Sequence, residues 1–201
     1  MLEALELDCE RGGRTLFRAL SFRLEAGEAL RIAGANGSGK TSLLRMLCGL
    51  LAPSQGEVRW KGSNIASLRE DYSRELVYVG HAPAVKDDLT AAENLAIACA
   101  IAGNPVDERA VGAALARFEL REERPVRRLS QGQRRRSALA RLALSPHRPL
   151  WLLDEPFTAL DTEGIAVLGE LIEEHRSRGG ALIFTTHQDP GVAATRVIEL
   201  D

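Results

Sequence analysis

Short alternations of apolar and polar residues fill the first third of the chain, broken by Gly12-Gly13 and by Ala26-Gly27-Glu28 ahead of Ala29-Leu30-Arg31-Ile32-Ala33. A period of two between glycine turns predicts strands. At Lys40 the period changes. Leu43, Leu44, Leu47, Cys48 and Leu51 fall on one helical face, and Pro53 predicts where that helix has ended. From about Leu89 to Leu144 the spacing is helical, with breaks at Gly103-Asn104-Pro105 and around Pro125. After Pro149, the apolar runs Leu150–Leu153 and Ala181–Phe184 flank a helix-patterned stretch from about Thr162 to Arg178. Short apolar runs between helices suit a buried, mostly parallel sheet with helices on both faces. The expectation is one α/β domain over 1–201, with a core of about 1–80 and 146–201 and a helical insertion over 81–145. No internal repeat or low-complexity segment interrupts it.

Composition narrows the class. The 201 residues carry 26 basic and 28 acidic side chains, a net charge of −2, with 45% apolar and 4% aromatic residues. That balance excludes a chain held to nucleic acid by charge alone, and also an acidic disordered tail. Twenty-three of the basic residues are arginines, and the only lysines are Lys40, Lys61 and Lys86. Cys9, Cys48 and Cys99 are too widely spaced for a disulfide framework or a zinc cluster, so a reducing compartment is expected. The acidic start MLEALELDCE lacks the pattern of a secretory leader. Leu95–Gly103, the longest candidate membrane stretch, is half of the roughly 20 residues needed to span a bilayer. A partner is therefore expected to supply any membrane part.

Three motifs carry chemistry. Gly34-Ala35-Asn36-Gly37-Ser38-Gly39-Lys40-Thr41, followed by Ser42, lies where a strand should pass into a helix. Its glycines let backbone amides wrap a phosphate at the helix's positive end. Lys40 would then reach the β- and γ-phosphates, and the Thr41 hydroxyl would ligate Mg²⁺. The second motif is Leu150-Trp151-Leu152-Leu153-Asp154-Glu155, with Pro156 after it. A buried strand would deliver Asp154 to the metal shell and Glu155 to an attacking water. Glu122-Glu123 and Glu173-Glu174, which lack such a strand, read as solvated helix faces. The third motif, Leu129-Ser130-Gln131-Gly132-Gln133, lies 24 residues before Asp154 at its serine and runs into Arg134-Arg135-Arg136. Ser130, Gly132 and Gln133 at a helix start form a second anion site, and two such sites suggest two chains sharing nucleotides. Taken alone, the same stretch reads as an N-capped helix with an arginine-rich face.

Together these motifs resemble the nucleotide-binding subunits of ABC transporters over essentially the whole chain. The resemblance implies a P-loop NTPase fold of ABC type, with a mostly parallel core sheet, an N-terminal antiparallel β portion and an inserted helical subdomain. It also implies ATP and Mg²⁺, and a head-to-tail dimer in which each phosphate loop faces the other chain's signature loop. Ala159-Leu160-Asp161 looks like the loop that crosses to the opposite site. His187, 32 residues after Glu155, looks like the histidine that senses the γ-phosphate.

Two departures are specific. His81, in Tyr78-Val79-Gly80-His81-Ala82-Pro83, stands where the family carries a glutamine linking the magnesium site to the membrane partner. It can still accept a hydrogen bond from metal-bound water while neutral. Arg11, in Cys9-Glu10-Arg11, stands where an aromatic residue usually stacks on adenine, and a guanidinium plane can do likewise. With the Thr185-Thr186-His187-Gln188-Asp189-Pro190 stretch, they resemble ABC ATP-binding subunits of bacterial cytochrome c maturation, the haem exporter type. That implies integral-membrane partner subunits, a peripheral place on the cytoplasmic face of the inner membrane, and no direct nucleic-acid work. A non-transport ATPase driving assembly of another complex, or an exporter of another substrate, fits the same motifs.

Overall fold

The computed structural model describes residues 1–121, 123–187, 191 and 194–200. The chain forms two compact units.

The first unit comprises Met1–His81, Arg148–Pro156 and His175–Asp201 and contains two sheets. Strands β1 (Leu2–Arg11) and β2 (Arg14–Leu24) form an antiparallel hairpin about Gly12-Gly13. β4 (Gln55–Trp60) and β5 (Ser63–Asn64) extend it in the order β2-β1-β4-β5. The buried positions of β1 are Leu2, Ala4, Leu7 and Cys9, so simple alternation slips by one. The slip lies at Glu6, whose φ of 47° marks a bulge in both ladders of β1. Gly56 opposes that bulge, and a Cβ there would stand 2.3 Å from the carbonyl oxygens of Leu5 and Glu6.

The second sheet is parallel throughout, in the order β6 (Leu76–Val79), β7 (Leu150–Leu153), β8 (Ala181–Thr185), β3 (Ala29–Gly34), β9 (Arg196–Leu200). β7 and β8 are buried along their whole length, as their unbroken apolar runs require. β9 goes unpredicted because it is an edge strand, largely exposed and without an apolar run. Helix α1 (Lys40–Leu47) starts directly behind the phosphate loop. It ends before Pro53 because Gly49 adopts φ 77°, and the amides of Gly49, Leu50 and Leu51 turn back onto carbonyls of Met46 and Arg45. Two short helices, α2 (Ile65–Leu68) and α3 (Glu70–Glu75), precede β6.

The second unit comprises Ala82–His147 and Phe157–Glu174, so it takes in a stretch that the sequence expectation assigned to the core. It contains α4 (Ala91–Ile101), α5 (Glu108–Arg117), α6 (Gln131–Leu139) and α7 (Thr162–Ser177) as far as Glu174. A forked bond from Arg117 to Glu174, at 3.1 and 2.7 Å, ties α5 to α7 within this unit. Thr90 and Glu93 form a capping box on α4, and Asp107 caps α5. No described helix is long and apolar enough to cross a membrane.

Candidate nucleotide site

β3, β6, β7 and β8 run parallel in one sheet, so their carboxyl ends share one edge, where such sheets bind ligands. β3 delivers the phosphate loop to that edge. Gly34 is required for a reason beyond phosphate wrapping: a Cβ on it would meet the Leu200 carbonyl oxygen of neighbouring β9 at 2.3 Å. Gly39 is the N-cap of α1 at φ 104°, and among the described residues no side chain caps the helix, an arrangement whose first-turn amides suit an anion. The buried Ser38 hydroxyl has no hydrogen-bond partner among the described residues. A phosphate oxygen is the partner such a donor lacks. Lys40 is buried, and its ammonium donates to the carbonyls of Gly34 (2.7 Å) and Ala35 (2.9 Å). Ser42 is also buried, while Asn36 and Gly37 are exposed on the loop.

β7 delivers the carboxylates. Asp154 is 1% exposed, and its amide donates to the Val79 carbonyl. The Thr41 hydroxyl stands 2.8 Å from Asp154 Oδ2, and the Thr185 hydroxyl 2.9 Å from Oδ1. Glu155 follows at φ 49°, a left-handed conformation costing a non-glycine residue about 1–2 kcal/mol. Its amide donates to Thr185 Oγ1 at 2.8 Å, and its Oε2 lies 2.9 Å from His187 Nδ1. The neighbouring phenol of Tyr78 is pushed up in pKa, first by burial and next by the Asp154 charge.

A threonine hydroxyl beside a carboxylate is an all-oxygen donor set, the kind a small hard dication prefers. No trio of His, Cys, Asp or Glu among the described residues forms a complete metal cage. Mg²⁺ keeps several waters and shares phosphate oxygens, so it takes few ligands from the protein. Thr41 and Asp154 would hold it, and when bound it supplies charge neutralisation to the phosphates.

Other expected residues stand further out. His81 is exposed two residues beyond β6, on the same edge. Arg11 is exposed where the β1–β2 hairpin closes, paired across from Arg14. Two contributors were missed by sequence reasoning. Phe17 packs on the loop, its ring 3.2 Å from where a Cβ of Gly39 would be, and Thr185 joins both carboxylate residues. The position of Phe17 depends on the hairpin register, but a hydroxyl ending the apolar run Ala181–Phe184 was a usable signal for Thr185. Gln188, Asp189 and Pro190 lie outside the described residues.

The second unit holds the third motif. Ser130 Oγ accepts the Gln133 amide at 3.2 Å, and Gln133 Oε1 accepts the Ser130 amide at 2.9 Å, closing a capping box. A Cβ on Gly132 would stand 2.7 Å from the Ala159 carbonyl oxygen, so this signature turn packs closely against Ala159. Arg136 clasps Asp161 and donates to the Phe118 carbonyl. The Arg136 bond, then the Gly164 amide, hold the Asp161 carboxyl below the usual range. Arg134 bonds Asp87 at 3.1 Å and the Arg127 carbonyl at 2.9 Å. With Arg135 buried as well, these arginines are internal ties, not the exposed basic face of the alternative reading of this stretch alone.

Comparison with known proteins agrees with this architecture. Residues 17–158 match the ABC transporter family model. The "Cytochrome c biogenesis ATP-binding export protein CcmA" of Aromatoleum aromaticum is 54% identical over 100% of this chain and 95% of its own length. The protein of that name from Pseudomonas aeruginosa is 50% identical, over 100% and 99%. Among solved structures, an ATP-binding subunit of an ABC transporter is 27% identical with a TM-score of 0.82, covering 92% of this chain and 79% of that one. A dimeric ATP-binding cassette bound to ADP and Pi has the same fold, with a TM-score of 0.86 at 24% identity over 100% of this chain and 94% of that one. The phosphate loop, the paired carboxylates on a buried strand and the capped signature turn therefore belong to an ATP-hydrolysing member of the ABC transporter family, in its group of cytochrome c biogenesis ATP-binding export proteins.

Proposed function

We propose that this chain is the ATPase subunit of a membrane export complex serving cytochrome c biogenesis, coupling ATP to haem export or to release of a haem-carrying chaperone. The observation that carries the reading is one sheet edge holding Lys40, the Thr41–Asp154 pair and the Glu155–His187 contact. Lys40 and the loop amides bind the β- and γ-phosphates. Glu155 accepts a proton from water as the water oxygen attacks the γ-phosphorus. The bond to the β–γ bridging oxygen then breaks, releasing ADP and phosphate. An ionised carboxylate can only accept, so His187 Nδ1 carries the hydrogen of their bond, and Nε2 donates to the γ-phosphate only when it carries a hydrogen as well. Arg11 would stack on adenine, and His81, while its ring is neutral, would accept a hydrogen bond from water held by Mg²⁺.

Ser130, Gly132 and Gln133 serve the nucleotide of a second copy, giving a head-to-tail dimer with two sites. The dimer sits at the cytoplasmic face of the inner membrane and moves integral-membrane subunits as it closes. Affinity purification of the tagged chain from native membranes tests this reading. Expected is co-purification with integral-membrane subunits and turnover that rises in their presence. Full unstimulated turnover with no membrane protein retained would overturn the coupling.

A further inference from the structure

Thr185 ends β8 and is fully buried. Its hydroxyl lies 2.8 Å from the Glu155 amide nitrogen and 2.9 Å from Asp154 Oδ1. An amide N–H can only donate and a carboxylate only accept, so the directions of both bonds are fixed. The hydroxyl takes the Glu155 hydrogen on a lone pair and spends its one proton on Asp154. The other carboxylate oxygen, Oδ2, faces Thr41. One side chain thereby sets the rotation of the Asp154 carboxylate and the peptide from which Glu155 departs. The strand does not call for a hydroxyl here. Ala181, Leu182, Ile183 and Phe184 before it are all apolar and buried, and valine would fill the same volume.

We infer that Thr185 is a positioning residue for ATP hydrolysis, holding the metal-side carboxylate of Asp154 and the proton acceptor Glu155 in one fixed relation. The inference rests on the roles proposed above for those two residues. Buried polar groups that orient ligating carboxylates typically matter 10- to 100-fold to activity or metal affinity.

The test uses the full chain with Thr185→Val, which deletes the hydroxyl, and Thr185→Ser, which keeps it. Thermal unfolding verifies folding. Steady-state hydrolysis separates kcat from KM. Electron paramagnetic resonance titration with Mn²⁺, in the presence of a non-hydrolysable ATP analogue, reads the metal site independently of turnover. Expected for Thr185→Val is a kcat lower by about 10- to 100-fold with a much smaller change in KM, and weaker Mn²⁺ binding. Thr185→Ser should regain most of both. Wild-type kcat and Mn²⁺ affinity in Thr185→Val, or equal losses in the valine and serine variants, would overturn the inference. If the valine variant does not unfold cooperatively, Thr185→Ala is judged against Thr185→Ser by the same criteria. Glu155→Gln is run in parallel. If it hydrolyses ATP at the wild-type rate, the proposed base and this inference both fall. If it is slow while Thr185→Val is not, only this inference falls.

Discussion

Asp154 in the first unit is buried, and its two oxygens bond threonines 113 and 31 positions away in the chain. In the second unit, the Ser130 side chain and the Gln133 amide meet within one helical turn, and Ser130 stays exposed. The first arrangement exists only once the sheet has formed: Thr185 and Asp154 meet because β7 and β8 are neighbours, and Thr41 arrives on the helix that follows β3. The second is local, seated on Ala159 and clasped through Arg136 and Asp161. A buried long-range network suits groups that perform chemistry, because their geometry is set before substrate arrives. An exposed, locally capped helix start suits a face offered outward. Under the proposed function, the buried network would be the reacting half of one nucleotide site and the exposed turn the clamping half of another.

The largest effect that would sharpen this contrast falls in the first unit. Glu155→Gln should slow hydrolysis by about 10²- to 10⁴-fold, the usual worth of a general acid–base group, while ATP remains bound. Single-turnover kinetics with nucleotide binding measured in parallel checks it, and an unslowed variant would remove Glu155 as the base. Next comes Arg11, exposed at its hairpin. Arg11→Ala should weaken ATP by about 0.5–2 kcal/mol if its plane stacks on the base, and Arg11→Tyr should largely restore it. Isothermal calorimetry reading equal affinities would remove the stacking.

The smallest effect at neutral pH concerns a group away from the edge. His175, buried and stacked on Trp151 with ring centroids 3.9 Å apart, has its pKa lowered to about 4, chiefly by desolvation. The unfolded chain binds this proton more readily than the folded one, so the contribution is fully present above pH 6.5. It should be lost as pH falls toward 4. Melting temperature should therefore drop over that window in the wild type more than in His175→Gln. Parallel profiles would contradict it.

The parts legible in the sequence were those whose meaning is local. The glycine loop, the run from Leu150 to Glu155 and the helical middle all appear as patterns within a dozen residues. What was hidden depends on which strands become neighbours. Thr185 reaches Asp154 and Glu155 only because β8 lies beside β7, and Gly34 is constrained by β9, an edge strand too exposed to leave an apolar run. Gly56 similarly answers a bulge at Glu6 that no period of two announces. What the arginines after the signature turn bind was also hidden, because their partners Asp87, Phe118 and Asp161 are remote in sequence.

Mixing two disabled chains tests the sharing of sites between copies most directly. Lys40→Ala spoils the phosphate loop and leaves the signature turn intact. Gly132→Val spoils the turn, through the 2.7 Å approach to Ala159, and leaves the loop intact. Each alone should be inactive, and the mixture should regain ATP turnover well above either parent, because one loop and one turn meet across the mixed dimer. Turnover that stays at the sum of the two parents at every mixing ratio would contradict a site built from two chains.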